Sequence, residues 1–333
     1  MKVLVAGGAG YIGSTACSAL LDAGHTPVIL DSLVTGRAEF TRGRIFYQGD
    51  IADGALLARI AAEHPDISCA IHFAALIVVP NSVSDPYGYY RENVAKSLEF
   101  YHNLLAHGIR RVIFSSSASL YDDAPGFKVT EESPLNPRSP YARTKYMMET
   151  ILRDFTAAYD MRALALRYFN PIGADPALRT GPQIKEPSHV LGKLVSVAEG
   201  ALDEFLITGT DWPTRDGSGI RDYVHVWDLA LAHVKAVESF DDALLALGTD
   251  YATINLGCGN GVTVKELVYA FEKVYGKTLK KREAPPRDGD VAGSYADAGR
   301  AAALLGWRAE RGIEQGIEDA LRWSRVRDSI IPD

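Results

Sequence analysis

Cysteine is scarce in this sequence, with Cys17, Cys69 and Cys258 the three among 333 residues. They stand far apart in apolar or glycine-rich runs, without the CxxC or Cys/His spacing that would mark a metal or redox pair. We read them as buried free thiols and expect no bound metal. An excess of basic residues is also missing: 35 Lys and Arg face 42 Asp and Glu, for a net charge of −7. Neutralising a nucleic-acid backbone takes a basic face, so nucleic acid is not an expected partner. Long hydrophobic runs are absent as well. No stretch approaches the ~18 apolar residues of a membrane span, and the apolar opening Lys2 to Ala6 is too short for a signal peptide and is closed by glycines. The expectations are no membrane partner and a reducing, cytoplasmic setting.

What is present is an ordinary globular composition, 47% hydrophobic and 23% charged, in a length that fits one large domain or two sharing a cleft. The first half alternates short β-branched runs with helical periodicity. Strands are expected at 2–6, 27–31, 45–48, 69–73, 111–115 and 163–167, with helices at 12–23, 54–63, 87–107 and 141–159. Such alternation predicts an α/β fold, a Rossmann-type doubly wound parallel sheet with helices on both faces, whose ligands bind at the carboxyl ends of the strands. After Asn170-Pro171 the pattern becomes Pro/Gly-punctuated, with helices near 190–199 and 226–239. That irregularity suits a smaller mixed α/β substrate-binding domain over 171–333. Thr253 to Leu256 reads as a strand that rejoins the main sheet, a return segment near 222–257 to the 1–170 domain.

Gly7-Gly8-Ala9-Gly10-Tyr11-Ile12-Gly13 follows the first strand and opens the first helix, the context that gives a glycine pattern meaning. Gly7 allows the tight turn, Gly10 the approach of a pyrophosphate, and Gly13 close helix–strand packing, while the helix N-terminus supplies N–H groups and dipole. Asp31 ends the second strand, where a carboxylate would accept from the adenosine ribose and repel a 2′-phosphate. NAD is therefore expected over NADP, although Arg37 close by weighs the other way. Asp50, after the third strand, suits either an adenine contact or a solvated turn. Phe73-Ala74-Ala75 ends the fourth strand with the small residues a flat ligand needs.

Ser115-Ser116-Ser117 ends the next strand on the same edge. Tyr141 and Lys145 then stand at i and i+4 on one helix face. A cation beside a phenol favours phenolate, drawing a tyrosine pKa near 10 toward the range of a general base. Alone this pair is common on exposed helices; downstream of the glycine loop and the serine cluster it reads as catalytic.

These motifs, with Arg167-Tyr168-Phe169-Asn170-Pro171-x-Gly173-Ala174 and Asp216-Gly217-x-Gly219-x-Arg221-Asp222-Tyr223-x-His225-Val226, resemble the extended short-chain dehydrogenase/reductase family, and within it the UDP-galactose 4-epimerases, over nearly the whole chain. The resemblance implies inversion of a sugar carbon 4 by transient hydride transfer to bound NAD. Ser117, Tyr141 and Lys145 would be catalytic. Tyr11, Ile12, Ser32, Ile51, Asn93, Ser115, Tyr168 and the catalytic Tyr141 and Lys145 would join Gly7, Gly10, Gly13, Asp31, Asp50, Phe73, Ala74 and Ala75 around the cofactor, Lys145 on the nicotinamide ribose. It also implies a homodimer formed through the helices at 87–107 and 141–159.

On the substrate side the resemblance places Asn170, His189, Val190, Arg221, Tyr223, Arg287, Asp290 and Ser294 against a nucleotide sugar, a UDP-hexose by family habit. Guanidinium forks suit a pyrophosphate; without the other motifs Arg287 and Asp290 would read as a surface charge cluster. Three positions depart from the pattern: Ile77 stands for a lysine, His189 for an asparagine, and Ser294 for a tyrosine or cysteine. Small Ser294 leaves room at carbon 2, so N-acetylated sugars are expected to be tolerated. A dehydratase would need an Asp-Glu pair where this chain has Ala118-Ser119, and a decarboxylating relative would need a glutamate at Ser119. A net oxidoreductase with exchanging cofactor, or a non-catalytic dinucleotide sensor, stays open at this point.

Overall fold

The β-branched runs form a sheet because each alternates residues between two cores. In the computed structural model, which describes residues 1–286 and 290–332, Val3 and Val5 enter one buried cluster while Leu4 and Ala6 enter another. The same two-residue alternation sends Leu164 and Leu166 to the first core and Ala163 and Ala165 to the second, as strand geometry requires. We number the strands of this sheet β1 (Lys2–Ala6), β2 (Thr26–Asp31), β3 (Ile45–Gln48), β4 (Ile67–His72), β5 (Arg111–Ser117), β6 (Arg162–Tyr168) and β7 (Tyr251–Leu256). They lie in the order 7-6-5-4-1-2-3, every pair parallel.

Helices cover both faces. Those at Tyr11–Asp22 and Val226–Glu238 bury residues such as Leu20 and Leu229 in the first core. Those at Gly54–Glu63, Lys96–Ala106 and Pro140–Ala158 bury Ile60, Leu104 and Met148 in the second. The expected Rossmann-type sheet is thus present. Strand order reverses between β1 and β4, which opens a crevice at their carboxyl ends.

The helix expected over 87–107 is present but is not α-form throughout. A short helix, Pro86–Tyr90, passes through a π-helical turn, Arg91–Ala95, before Lys96–Ala106 resumes the α-form. The wider turn carries the buried Asn93; such turns concentrate at functional sites.

A smaller body with its own core flanks the crevice. Leu191, Leu194, Phe205, Tyr223, Leu267, Phe271, Ile317 and Leu321 pack together there, drawn from the Val190–Ala198, Val264–Tyr275 and Ile313–Ile330 helices and short strands between them. Asn170–Ile172 pairs in parallel with Tyr223–His225. Ile220–Arg221 lies between Val262–Thr263 and Gly293–Ala296. No helix among the described residues is long and apolar enough to cross a membrane.

Candidate active site

The glycine loop is built so that backbone replaces side chain. Gly7 has φ +82°, and a Cβ on it would lie 2.6 Å from the Ala74 nitrogen, while a Cβ on Gly13 would overlap the Gly7 carbonyl oxygen. Gly10 differs, since its Cβ would meet nothing nearer than the Gly7 oxygen at 3.5 Å. The Tyr11–Asp22 helix starts at Gly10 with no side-chain cap, so its first N–H groups face that space, a ready anion site. Tyr11 donates its hydroxyl to the Gly173 carbonyl at 2.6 Å, tying the loop to the smaller body; Ile12 packs on the first core.

Asp31, buried at the end of β2, accepts from Ala9 N–H at 2.9 Å and Leu33 N–H at 2.8 Å. Burial pushes its carboxyl up, and these two N–H groups work against that. One backbone bond to each oxygen leaves lone pairs for ribose hydroxyls. Ser32 beside it is exposed. Asp50 binds Lys96 Nζ at 2.5 Å and accepts from Ala52 N–H at 2.9 Å, and Ile51 is buried in the second core. Half-buried Phe73, Ala74 and Ala75 continue β4 into the crevice.

At the end of β5 the serines divide their work. Ser117 Oγ bonds Ser119 Oγ at 2.9 Å and accepts from Ser119 N–H at 3.1 Å, while the Ser115 carbonyl receives Lys145 Nζ at 2.7 Å. Tyr141 and Lys145 rise from one face of the Pro140–Ala158 helix, started by Pro140 and capped by Ser139. The Lys145 nitrogen lies 6.0 Å from the Tyr141 ring centre and 4.9 Å from that of Phe114.

Here the expected electrostatics need correction. Desolvation pushes the Tyr141 phenol up, against a lowering by its hydrogen bond with Ser117. The cation meant to draw it down is itself buried, which pushes the Lys145 ammonium down to about 7. Both groups have left water, and burial disfavours the charged form of each.

Asn93 does not present a spare amide. Its oxygen accepts from Leu76 N–H at 2.7 Å, and its nitrogen donates to the Leu76 carbonyl at 2.9 Å and Thr144 Oγ1 at 3.1 Å. It fastens the loop after β4 to the catalytic helix. Tyr168 ends β6 with its hydroxyl on His233 Nε2, and Phe73 lies 4.7 Å from that imidazole between ring centres.

Across the crevice, Arg221 donates to the carbonyls of Ile220, Ala292 and Val291 at 2.7, 2.9 and 3.2 Å, and Ser294 is its register partner on the adjoining strand. Gly293, φ +108°, makes room for the guanidinium. Tyr223 is buried, and its hydroxyl has no hydrogen-bond partner among the described residues. A buried polar atom left unpaired suits a pocket meant for a ligand. Asn170 is exposed and in register with Tyr223. His189 caps the helix that begins at Val190, its Nδ1 accepting from Gly192 N–H at 3.1 Å, a task an asparagine performs equally well. Asp290 is half-buried, Ile77 is 58% exposed, and Arg287 lies outside the described residues.

Sequence reading missed the buried groups that hold this frame. Asp222 accepts from Cys258, Gly259 and Ala296 N–H at 2.7, 3.0 and 3.1 Å, joining three segments of the pocket wall. His233 and Glu149 were missed too. For His233 the signal was a polar residue among the buried apolar ones of the Val226–Glu238 helix, whereas Asp222 stood inside the Asp216 to Val226 motif without a role of its own.

The family model for the NAD dependent epimerase/dehydratase family matches residues 3–255. Among curated relatives, the UDP-glucose 4-epimerase of Bacillus subtilis (strain 168) is 41% identical, the match covering 97% of this chain and 96% of the relative. Among solved structures, UDP-glucose-4-epimerase from Stenotrophomonas maltophila, with bound NAD and formylated UDP-arabinopyranose, superposes with TM-score 0.93 at 38% identity over 99% of both chains. The UDP-Glc/GlcNAc 4-epimerase of Campylobacter jejuni gives TM-score 0.82 at 33% identity, covering 97% of this chain and 99% of that one.

Proposed function

This chain belongs to the NAD dependent epimerase/dehydratase family, and from that premise we propose that it is a nucleotide-sugar 4-epimerase of the UDP-glucose/UDP-galactose type. The observation that carries the reading is the convergence of Tyr141, Lys145 and Ser115–Ser117 at the carboxyl end of β5, beside an uncapped glycine-loop helix. Residues 1–170 with the return segment near 222–257 hold the cofactor, and 171–333 hold the sugar nucleotide.

The open space at Gly10 fits a dinucleotide pyrophosphate, and Asp31 fits an unphosphorylated ribose. Gly7, Tyr11, Ile12, Gly13, Ser32, Asp50, Ile51, Phe73, Ala74, Ala75, Asn93, Ser115 and Tyr168 complete that lining. Held there, NAD would supply a reversible hydride acceptor for carbon 4, with no net oxidation. Tyr141, entering as the phenolate, accepts the proton of the carbon-4 hydroxyl at Oη and later returns it. Ser117 Oγ, anchored by Ser119 N–H, shares that hydrogen bond. Lys145, fixed on the Ser115 carbonyl, would hold the nicotinamide ribose beside the phenol. Arg221, Arg287, Asn170 and His189–Val190 bind the diphosphate side, with Tyr223 and Asp290 on the nucleoside. Small Ser294 leaves room for an N-acetyl group.

The exposed apolar side chains of Tyr87, Leu98, Tyr146 and Met147 on the Pro86–Tyr90, Lys96–Ala106 and Pro140–Ala158 helices support a homodimer. Three unpaired cysteines suit the reducing cytoplasm. The test is incubation with a panel of UDP- and dTDP-sugars without added cofactor, the epimers being resolved by chromatography. Interconversion of UDP-glucose and UDP-galactose is expected, whereas net release of NADH would overturn the reading.

A further inference from the structure

Three elements meet behind the end of β5 through side chains the mechanism does not use. Glu149, one turn beyond Lys145, accepts from Ser116 Oγ at 2.5 Å and Arg167 Nε at 2.9 Å on one oxygen, and from an Arg167 terminal nitrogen at 2.7 Å on the other. All three residues are buried. Ser116 and Arg167 are register partners on β5 and β6, and the next pair along is Ser117 with Tyr168. The contact therefore joins the helix of Tyr141 and Lys145 to both strand ends of the site.

Its charge also counts. Lys145 and Arg167 are two buried cations; without a counter-charge a buried lysine tends to shed its proton, and a buried arginine, which keeps its own, is left costly. Around them stand His72, held neutral by burial, and the hydroxyls of Tyr141, Tyr251 and Tyr121, the last bonded to Arg167 at 3.0 Å. Glu131 offers Arg167 only its backbone carbonyl, at 3.4 Å; its carboxylate accepts from Asn255 N–H and lies 3.9 Å from Arg300. Glu149 is the group that opposes the effect of burial on Lys145.

We infer that Glu149 is a positioning residue: it clamps the Tyr141–Lys145 helix to the ends of β5 and β6 and supplies the buried negative charge that balances Lys145 and Arg167. This inference rests on the proposed function only for its activity measurement.

The test titrates the Lys145 side chain by NMR in 13C-lysine-labelled protein, assigned with Lys145→Met, in wild type and Glu149→Gln. The expected midpoint in Glu149→Gln falls by at least about one pH unit, a tenfold fall in the ratio of protonated to neutral Lys145 at a given pH. The alkaline limb of kcat for UDP-galactose moves with it, while KM stays within about twofold. If Glu149→Gln alone does not fold, Glu149→Gln/Arg167→Met is compared with Arg167→Met, and the same fall is expected. An unmoved midpoint and pH profile would overturn the inference, as would failure of both backgrounds to fold, which would make the contact purely structural. The titration needs no substrate. A wild type that titrates as expected yet leaves UDP-galactose unchanged would overturn the proposed function and not this inference.

Discussion

Tyr168 donates its hydroxyl hydrogen to His233 Nε2 across 2.5 Å, because Nδ1 of the same ring gives its own hydrogen to the Leu229 carbonyl at 2.8 Å. A carbonyl only accepts, so the tautomer is fixed and Nε2 remains an acceptor. The phenolic oxygen is thereby left to face β5 as an acceptor as well.

That ring must be neutral to do this, and burial pushes it down to about 4. In the unfolded chain it titrates near 6.5. The folded value is the lower one, so its contribution to stability is full above about pH 6.5 and is lost as the pH falls toward 4. Thermal melts at about pH 7.5 and 4.5 are expected to show a larger drop in Tm for wild type than for His233→Gln. An equal drop would mean that His233 takes up no proton on unfolding.

The glycines of the loop separate folding from binding. Gly13→Ala drives a methyl group into the Gly7 carbonyl and is expected to cost about 1–3 kcal/mol. Gly10→Ala meets no such obstacle, so its unfolding transition should match wild type while its NAD content, read from the denatured supernatant, falls. Full NAD content in Gly10→Ala would place the pyrophosphate elsewhere.

Tyr223 keeps a buried hydroxyl without a partner. Removing an unpaired buried hydroxyl relieves a desolvation cost, so Tyr223→Phe should be as stable as wild type or up to about 1 kcal/mol more stable by denaturant unfolding. KM for the sugar nucleotide should rise in the same variant. A loss of stability with KM unchanged would assign that hydroxyl to the fold.

Ser294 stands beside Arg221 in register. Ser294→Tyr is expected to lower kcat/KM for UDP-N-acetylglucosamine relative to UDP-glucose by about tenfold or more. Should both substrates lose equally, Ser294 does not set the room at carbon 2.

The sheet was legible because short continuous apolar runs such as Val3 to Ala6 and Ala163 to Leu166 alternate with helical periodicity, as strands covered on both faces do, and the Gly7–Gly13 loop reports where the crevice opens. That Tyr141 and Lys145 rise from one face was legible from spacing, since i and i+4 on a helix share a face. The π-helical turn inside the expected helix was not, because what accompanies it, the bonds of Asn93 to Leu76 and Thr144, is tertiary. The sign of the Tyr141 shift was missed for a related reason: charge spacing can be read along a helix, but desolvation depends on what packs against both groups. Glu149, Asp222 and His233 stayed hidden because their partners are 18 to 74 residues away, or a backbone carbonyl within an apolar helix.

The central claim is that Tyr141 moves the proton of a sugar hydroxyl, and comparing Tyr141→Phe with wild type in the UDP-galactose to UDP-glucose conversion tests it most directly, with bound NAD quantified in both. The account predicts a fall in kcat of about 10²- to 10⁴-fold at unchanged NAD content. A Tyr141→Phe protein that interconverts the two sugars at the wild-type rate would contradict it.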